Sequence, residues 1–78
     1  MDEVKFLNFI VENIVSNKDG IKIEKTDDEL GTLLTLSVDK EDMGSIIGKG
    51  GNNINSIRSI LRLYGVKSNK RINLKVLD

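Results

Sequence analysis

A chain of 78 residues with no cysteine, histidine or proline has room for one small domain, and it lacks disulfides, thiolate metal sites and the commonest general base. Its 12 Lys and Arg balance 12 Asp and Glu overall, but residues 1–42 hold 5 Lys against 11 acids, and residues 43–78 hold 7 Lys and Arg against Asp78 alone. No apolar run approaches the ~18 residues of a membrane span, and the acidic start Met1-Asp2-Glu3 is unlike a signal peptide, so a soluble cytoplasmic protein is expected.

Asp2 is placed to cap a helix from about Glu3 to Ser16, in which Val4, Leu7, Val11 and Ile14 recur at helical spacing and Phe6, Phe9 and Ile10 widen the stripe. Asn17 to Gly20 ends it. Ile21 to Lys25 alternates apolar and polar residues like a half-buried strand, Thr26 to Gly31 reads as a loop, and Thr32 to Val38 is a second strand with Leu34, Leu36 and Val38 on one face. Asp39 reads as an N-cap, with Asp42 near the capping-box position of a short helix reaching about Ile47. A glycine cluster at 48–51 follows. Asn52 or Asn53 opens a longer helix to about Tyr64, with Gly65 as its stop and Val66 to Lys70 as a turn. Arg71 to Leu77 is a third strand with Ile72, Leu74 and Val76 on one face. The expected order is α-β-β-α-α-β, an α+β domain whose three-stranded sheet is covered on one face by three helices. It divides into a helix and hairpin at 1–38 and a helix-loop-helix-strand core at 39–78.

The most informative stretch is Met43 to Ile54, which holds Gly44, Gly48, Gly50 and Gly51. Two helices joined by a glycine loop leave amide N–H groups free at the start of the second, where the helix dipole is positive, and Lys49 adds a mobile charge. An anion such as phosphate suits that arrangement. A Walker A loop does not fit, because Gly44 to Gly48 is one residue short and Gly50 follows Lys49 where a hydroxyl residue is needed. The dinucleotide fingerprint fails as well, because Asn53 stands at its last glycine. The charge split between the halves has two readings: a polyanion partner for the basic half, or attraction between the halves themselves.

Ile46-Ile47-Gly48-Lys49-Gly50-Gly51-Asn52-Asn53-Ile54 resembles the KH signature (I/V)-I-G-x-x-G-x-x-I. The helix and two strands before it resemble the type II KH arrangement, with a mixed three-stranded sheet. The whole layout resembles the small bacterial single-KH proteins of the KhpA family, in which Asp39, Asp42 and Gly44 match a D-x-x-D-x-G lead-in and Arg58 a basic residue of the next helix. Gly50 departs from the longer polar residue expected there. The resemblance implies binding of about four unpaired nucleotides of single-stranded RNA. Gly48, Lys49, Gly50 and Gly51 would hold phosphates, with Asn52 beside them. Ile46, Ile47 and Ile54 would floor or support an apolar groove, and Arg58 and Arg62 would steer the strand. Single-stranded DNA stays open as a ligand. The resemblance further implies a post-transcriptional regulator or RNA chaperone, with links to cell shape and cell-wall synthesis. No cofactor, metal or small-molecule substrate is implied.

On a helical wheel, Ile54, Ile57, Leu61 and Tyr64 form a sheet-facing stripe, and Ile60 and Leu63 lie on its shoulder away from Arg58 and Arg62. Either the first helix covers that shoulder, or Ile60 and Leu63, flanked by Ile57 and Tyr64, form a dimer seam. The family resemblance favours a homodimer, or a heterodimer with a larger KhpB-type KH protein. The scarcity of aromatics (Phe6, Phe9 and Tyr64) argues against a stacking platform of the RRM or OB kind. An enzyme would have to rest on Asp27-Asp28-Glu29 or Asp39-Glu41-Asp42, which read as a solvated turn and as helix capping. The remaining alternative is a protein-interaction module with little RNA binding of its own.

Overall fold

The computed structural model describes residues 1–77; Asp78, the single acid of the basic half, lies outside the described residues. The elements are α1 (Glu3–Glu12), β1 (Lys22–Asp28), β2 (Gly31–Ser37), α2 (Met43–Ile47), α3 (Asn52–Lys67) and β3 (Ile72–Val76). Asp2 caps α1 as its position demands, accepting the Lys5 N–H at 2.8 Å. The helix closes at Glu12 rather than Ser16, where the Asn13 side-chain amide donates to the Phe9 carbonyl at 2.7 Å. Ile14 and Val15 still pack on the core from the irregular chain that follows.

The sheet order is β1-β2-β3, antiparallel between β1 and β2 and parallel between β2 and β3. The register sets Ile23 against Leu36 and Leu36 against Val76, so strand alternation gathers Leu34, Leu36, Ile72 and Leu74 on one face. The three helices bury that face, closing a core with Leu7, Val11, Ile46, Ile54, Ile57 and Leu61. The opposite face carries Glu24, Thr35 and Lys75 in one row and is not covered by a helix.

Two elements run further than local pattern indicates. β1 continues through Thr26, Asp27 and Asp28, and only Glu29 and Leu30 make the turn. Asp28 accepts the N–H groups of Leu30 and Gly31 at 2.8 and 3.1 Å, and Asp27 accepts the Thr32 hydroxyl at 2.6 Å. The acidic run is solvated as expected, but Asp27 and Asp28 end a strand, with hydrogen-bond partners, rather than lying in a loop. Helix α3 passes through Gly65 to Lys67. Gly65 is buried, and a Cβ there would lie 2.5 Å from the Lys70 carbonyl oxygen, so this glycine admits the returning chain rather than stopping the helix. The helix ends at Ser68, with Asn69 at φ 57°.

A buried carboxylate ties the N-terminus to both ends of the fold. Glu3 is 3% exposed and meets Lys25 of β1 at 2.7 Å and Lys70, ahead of β3, at 3.3 Å. The hydrogen bond from the Lys25 ammonium is the chief cause that lowers its pKa to about 2.

Candidate nucleic-acid interface

The loop between α2 and α3 has the shape its glycines permit. Gly48 (φ 76°, ψ 172°), Gly50 (φ 64°, ψ 19°) and Gly51 (φ 81°, ψ 12°) all take conformations that side chains disfavour. At Gly48 space is also lacking, since a Cβ would fall 2.5 Å from Cγ of Asn53. Asn53 packs on that glycine and donates its amide to the Ser45 carbonyl at 2.8 Å, fastening the start of α3 to α2. The Gly51 N–H closes the turn on the Gly48 carbonyl at 3.2 Å. Lys49 and Gly50 are exposed, so a lysine with no carboxylate partner among the described residues stands with the positive end of a 16-residue helix on one accessible loop.

Behind the loop the predicted apolar residues divide. Ile46 and Ile54 are core residues at 0% and 5% exposure, so they support the loop from beneath and offer no surface to a ligand. Ile47 is half-buried and packs at the core's margin. Asn52 is exposed at the helix start.

A groove lies between α3 and the open edge of β3. Arg58, Arg62, Ile72, Asn73 and Leu74 line one part of it. The Arg71 carbonyl and the Leu77 N–H bond to β2. Strand alternation therefore turns the N–H and C=O of Leu74 outward. Arg58 lies across that edge, donating Nε and Nη2 to the Leu74 carbonyl at 3.3 Å each. Arg62, one turn on, is exposed. Neither arginine has a carboxylate partner among the described residues.

Asp39 and Asp42 correct the capping expectation. Neither makes a side-chain cap bond. Both turn toward the chain after α1: Asp39 accepts the Asn17 side-chain amide at 2.6 Å, and Asp42 accepts the N–H groups of Ser16 and Asn17 at 2.8 and 3.2 Å. Asp42 is 3% exposed, and the bond from Ser16 is the main cause holding its pKa below the usual carboxylate range. The residues before the loop are thereby anchored to the N-terminal half.

The four residues expected at a dimer seam separate as well. Ile57 is 3% exposed within the core and has no surface for a second chain. Tyr64 is half-buried because its ring stacks on Phe6 with centroids 4.9 Å apart, and its hydroxyl donates to the Met1 carbonyl at 2.6 Å. Ile60 and Leu63 remain exposed, at 42% and 73%, so the first helix does not cover that shoulder. Pattern gives Asn53 only as a helix start and gives Asn73 no role at the site. Asn53 lies two residues past the glycine cluster, and Asn73 is an exposed position of an edge strand.

A family described as KhpA/KhpB, KH domain, matches residues 4–76. A protein named RNA-binding protein KhpA from Borreliella burgdorferi is 35% identical over 77 residues, covering 99% of this chain and 94% of its own. Another of that name from Listeria monocytogenes is 39% identical over 71 residues, 88% of this chain and 91% of its own. One from Clostridium acetobutylicum is 32% identical over 73 residues, 94% and 97% of the two chains. No helix among the described residues is long and apolar enough to cross a membrane.

Proposed function

The chain belongs to the KhpA/KhpB KH-domain family, a binding family and not an enzyme family, and from that membership we propose that it binds short single-stranded RNA through the Gly48–Gly51 loop and the groove beside it. The observation that carries this reading is the loop's geometry. Gly48, Gly50 and Gly51 take positive φ, and the exposed Lys49 stands at the positive end of α3, the helix that further along carries Arg58 and Arg62 beside β3. Phosphates fit the helix start and the lysine. Bases lie toward the edge of β3, where Leu74 presents an acceptor once Arg58 swings away.

A single four-nucleotide site binds weakly, and the exposed Ile60 and Leu63 supply the remedy. They form a seam with a second copy or with a larger KhpB-type KH protein, so that two sites act on one RNA at high effective concentration. The pair acts in the cytoplasm as a post-transcriptional regulator or RNA chaperone.

Salt separates this reading from a protein-interaction module held by Ile60 and Leu63. RNA affinity measured by fluorescence anisotropy should fall with log[salt] at a slope near −0.7 per phosphate contact. A flat salt profile, or no RNA binding alongside capture of a second KH chain, contradicts the proposal.

A further inference from the structure

Beyond Arg62 the groove does not end. Arg62, Ile72 and Asn73 also line a second stretch with Val66, Lys70 and Arg71, bounded by the turn that leads from α3 into β3. Three lining residues are shared, so the two stretches are continuous. The distance along α3 from Gly51 to Arg62 is about 16 Å at 1.5 Å per residue, and Val66 lies a further turn away. The far stretch is therefore remote from the glycine loop.

Its chemistry suits one more nucleotide. Arg62 and Arg71 are exposed and have no carboxylate partner among the described residues. Lys70 differs, since its ammonium is committed to Glu3 at 3.3 Å. Val66 is an apolar side chain left 76% exposed on a helix that buries its other face. Asn73 is exposed on the edge strand and carries both an amide donor and a carbonyl acceptor. Two guanidinium forks for a phosphate, an apolar surface for a base and an amide for its edge thus meet in one place.

Resting on the RNA-binding reading above, we propose that Arg62, Val66, Arg71 and Asn73 form a distal nucleotide subsite, so that the bound strand continues past the four-nucleotide groove to the α3–β3 turn. The Gly48–Gly51 loop holds one end of the strand and the distal subsite holds its continuation.

The test is a length series of oligouridylates and oligoadenylates, four to ten nucleotides, titrated against the full chain and a Val66→Ser, Arg71→Ser variant. The strand bonds of Arg71 are made by its backbone, so the variant keeps its fold, and circular dichroism checks this. Longer strands gain affinity from multiple registers alone, and the variant removes that ambiguity. The expected result is equal affinity of both proteins for tetramers, with about fivefold weaker binding of octamers by the variant and a salt slope shallower by about 0.7. Equal binding of octamers by both proteins overturns the subsite and leaves the loop reading intact. An equal loss at every length also overturns it, because the residues then act as general charge. Failure of the unaltered chain to bind any length overturns the RNA-binding reading and the subsite together.

Discussion

The carboxylate of Asp42 accepts the backbone N–H of Ser16 at 2.8 Å across 26 positions of sequence. One buried acid, directly before α2, thus ties the chain that follows the first helix to the segment leading into the glycine loop. Asp42→Ala removes a charged acceptor from two amides and should cost about 1–3 kcal/mol. Urea denaturation gives the cost directly. RNA affinity of the folded variant should also fall, because α2 loses its anchor.

Acid should unfold the domain through Glu3 and Asp42. The Glu3 pKa is lowered from 4.5 to about 2, so its contribution is complete above 4.5 and is lost as pH falls from there toward 2. Asp42, also lowered, contributes with the same sign. Urea midpoints recorded between pH 6 and 2.5 should fall steeply in the unaltered chain. A Glu3→Gln variant should start less stable and show a flatter profile.

Two glycines in helices should answer alanine in opposite ways. At Gly44 a Cβ meets nothing within 4 Å, so Gly44→Ala should stabilise by about 0.5–1 kcal/mol. At Gly65 the same helix-propensity gain is opposed by a Cβ 2.5 Å from the Lys70 carbonyl oxygen. Gly65→Ala should therefore destabilise by about 1–3 kcal/mol, as overpacking does. Thermal melts of the two variants distinguish the cases.

Replacing Ile60 and Leu63 by lysine should leave the melting temperature of the monomer unchanged, because both side chains are exposed. If they form the dimer seam, sedimentation at micromolar concentration should show a dimer for the unaltered chain and a monomer for the double variant.

The core faces and the glycine loop were legible in the sequence because both are written locally. Leu7 and Val11 sit one turn apart, Leu34 and Leu36 alternate in a strand, and the loop's glycines cluster. What escaped depends on partners outside the element's own pattern, across a turn for β1 and Gly65 and far along the chain for Asp39 and Asp42. The acidic stretch of β1 is satisfied by Thr32 and by the turn amides, Gly65 is explained by Lys70, and Asp39 and Asp42 find Ser16 and Asn17 rather than their own helix. The same holds for the site. Lys49 and Gly50 are exposed at the loop as its pattern indicates. The burial of Ile54 and Ile57 follows the sheet-facing stripe that helical spacing gives, whereas that of Ile46 follows from how α2 meets the core, which spacing alone does not fix.

A charge reversal at the Gly48–Gly51 loop tests whether RNA binds there. Lys49→Asp with Gly50→Asp puts two carboxylates where phosphates would sit. A Cβ at Gly50 meets nothing within 4 Å, and aspartate is among the residues that best tolerate its φ of 64°. The variant should therefore fold, as circular dichroism would verify. With a fluorescent mixed-sequence RNA of about ten nucleotides at low salt, the account predicts binding by the unaltered chain and none by the folded variant. Equal binding by the two would contradict it and assign RNA contact to the basic face alone.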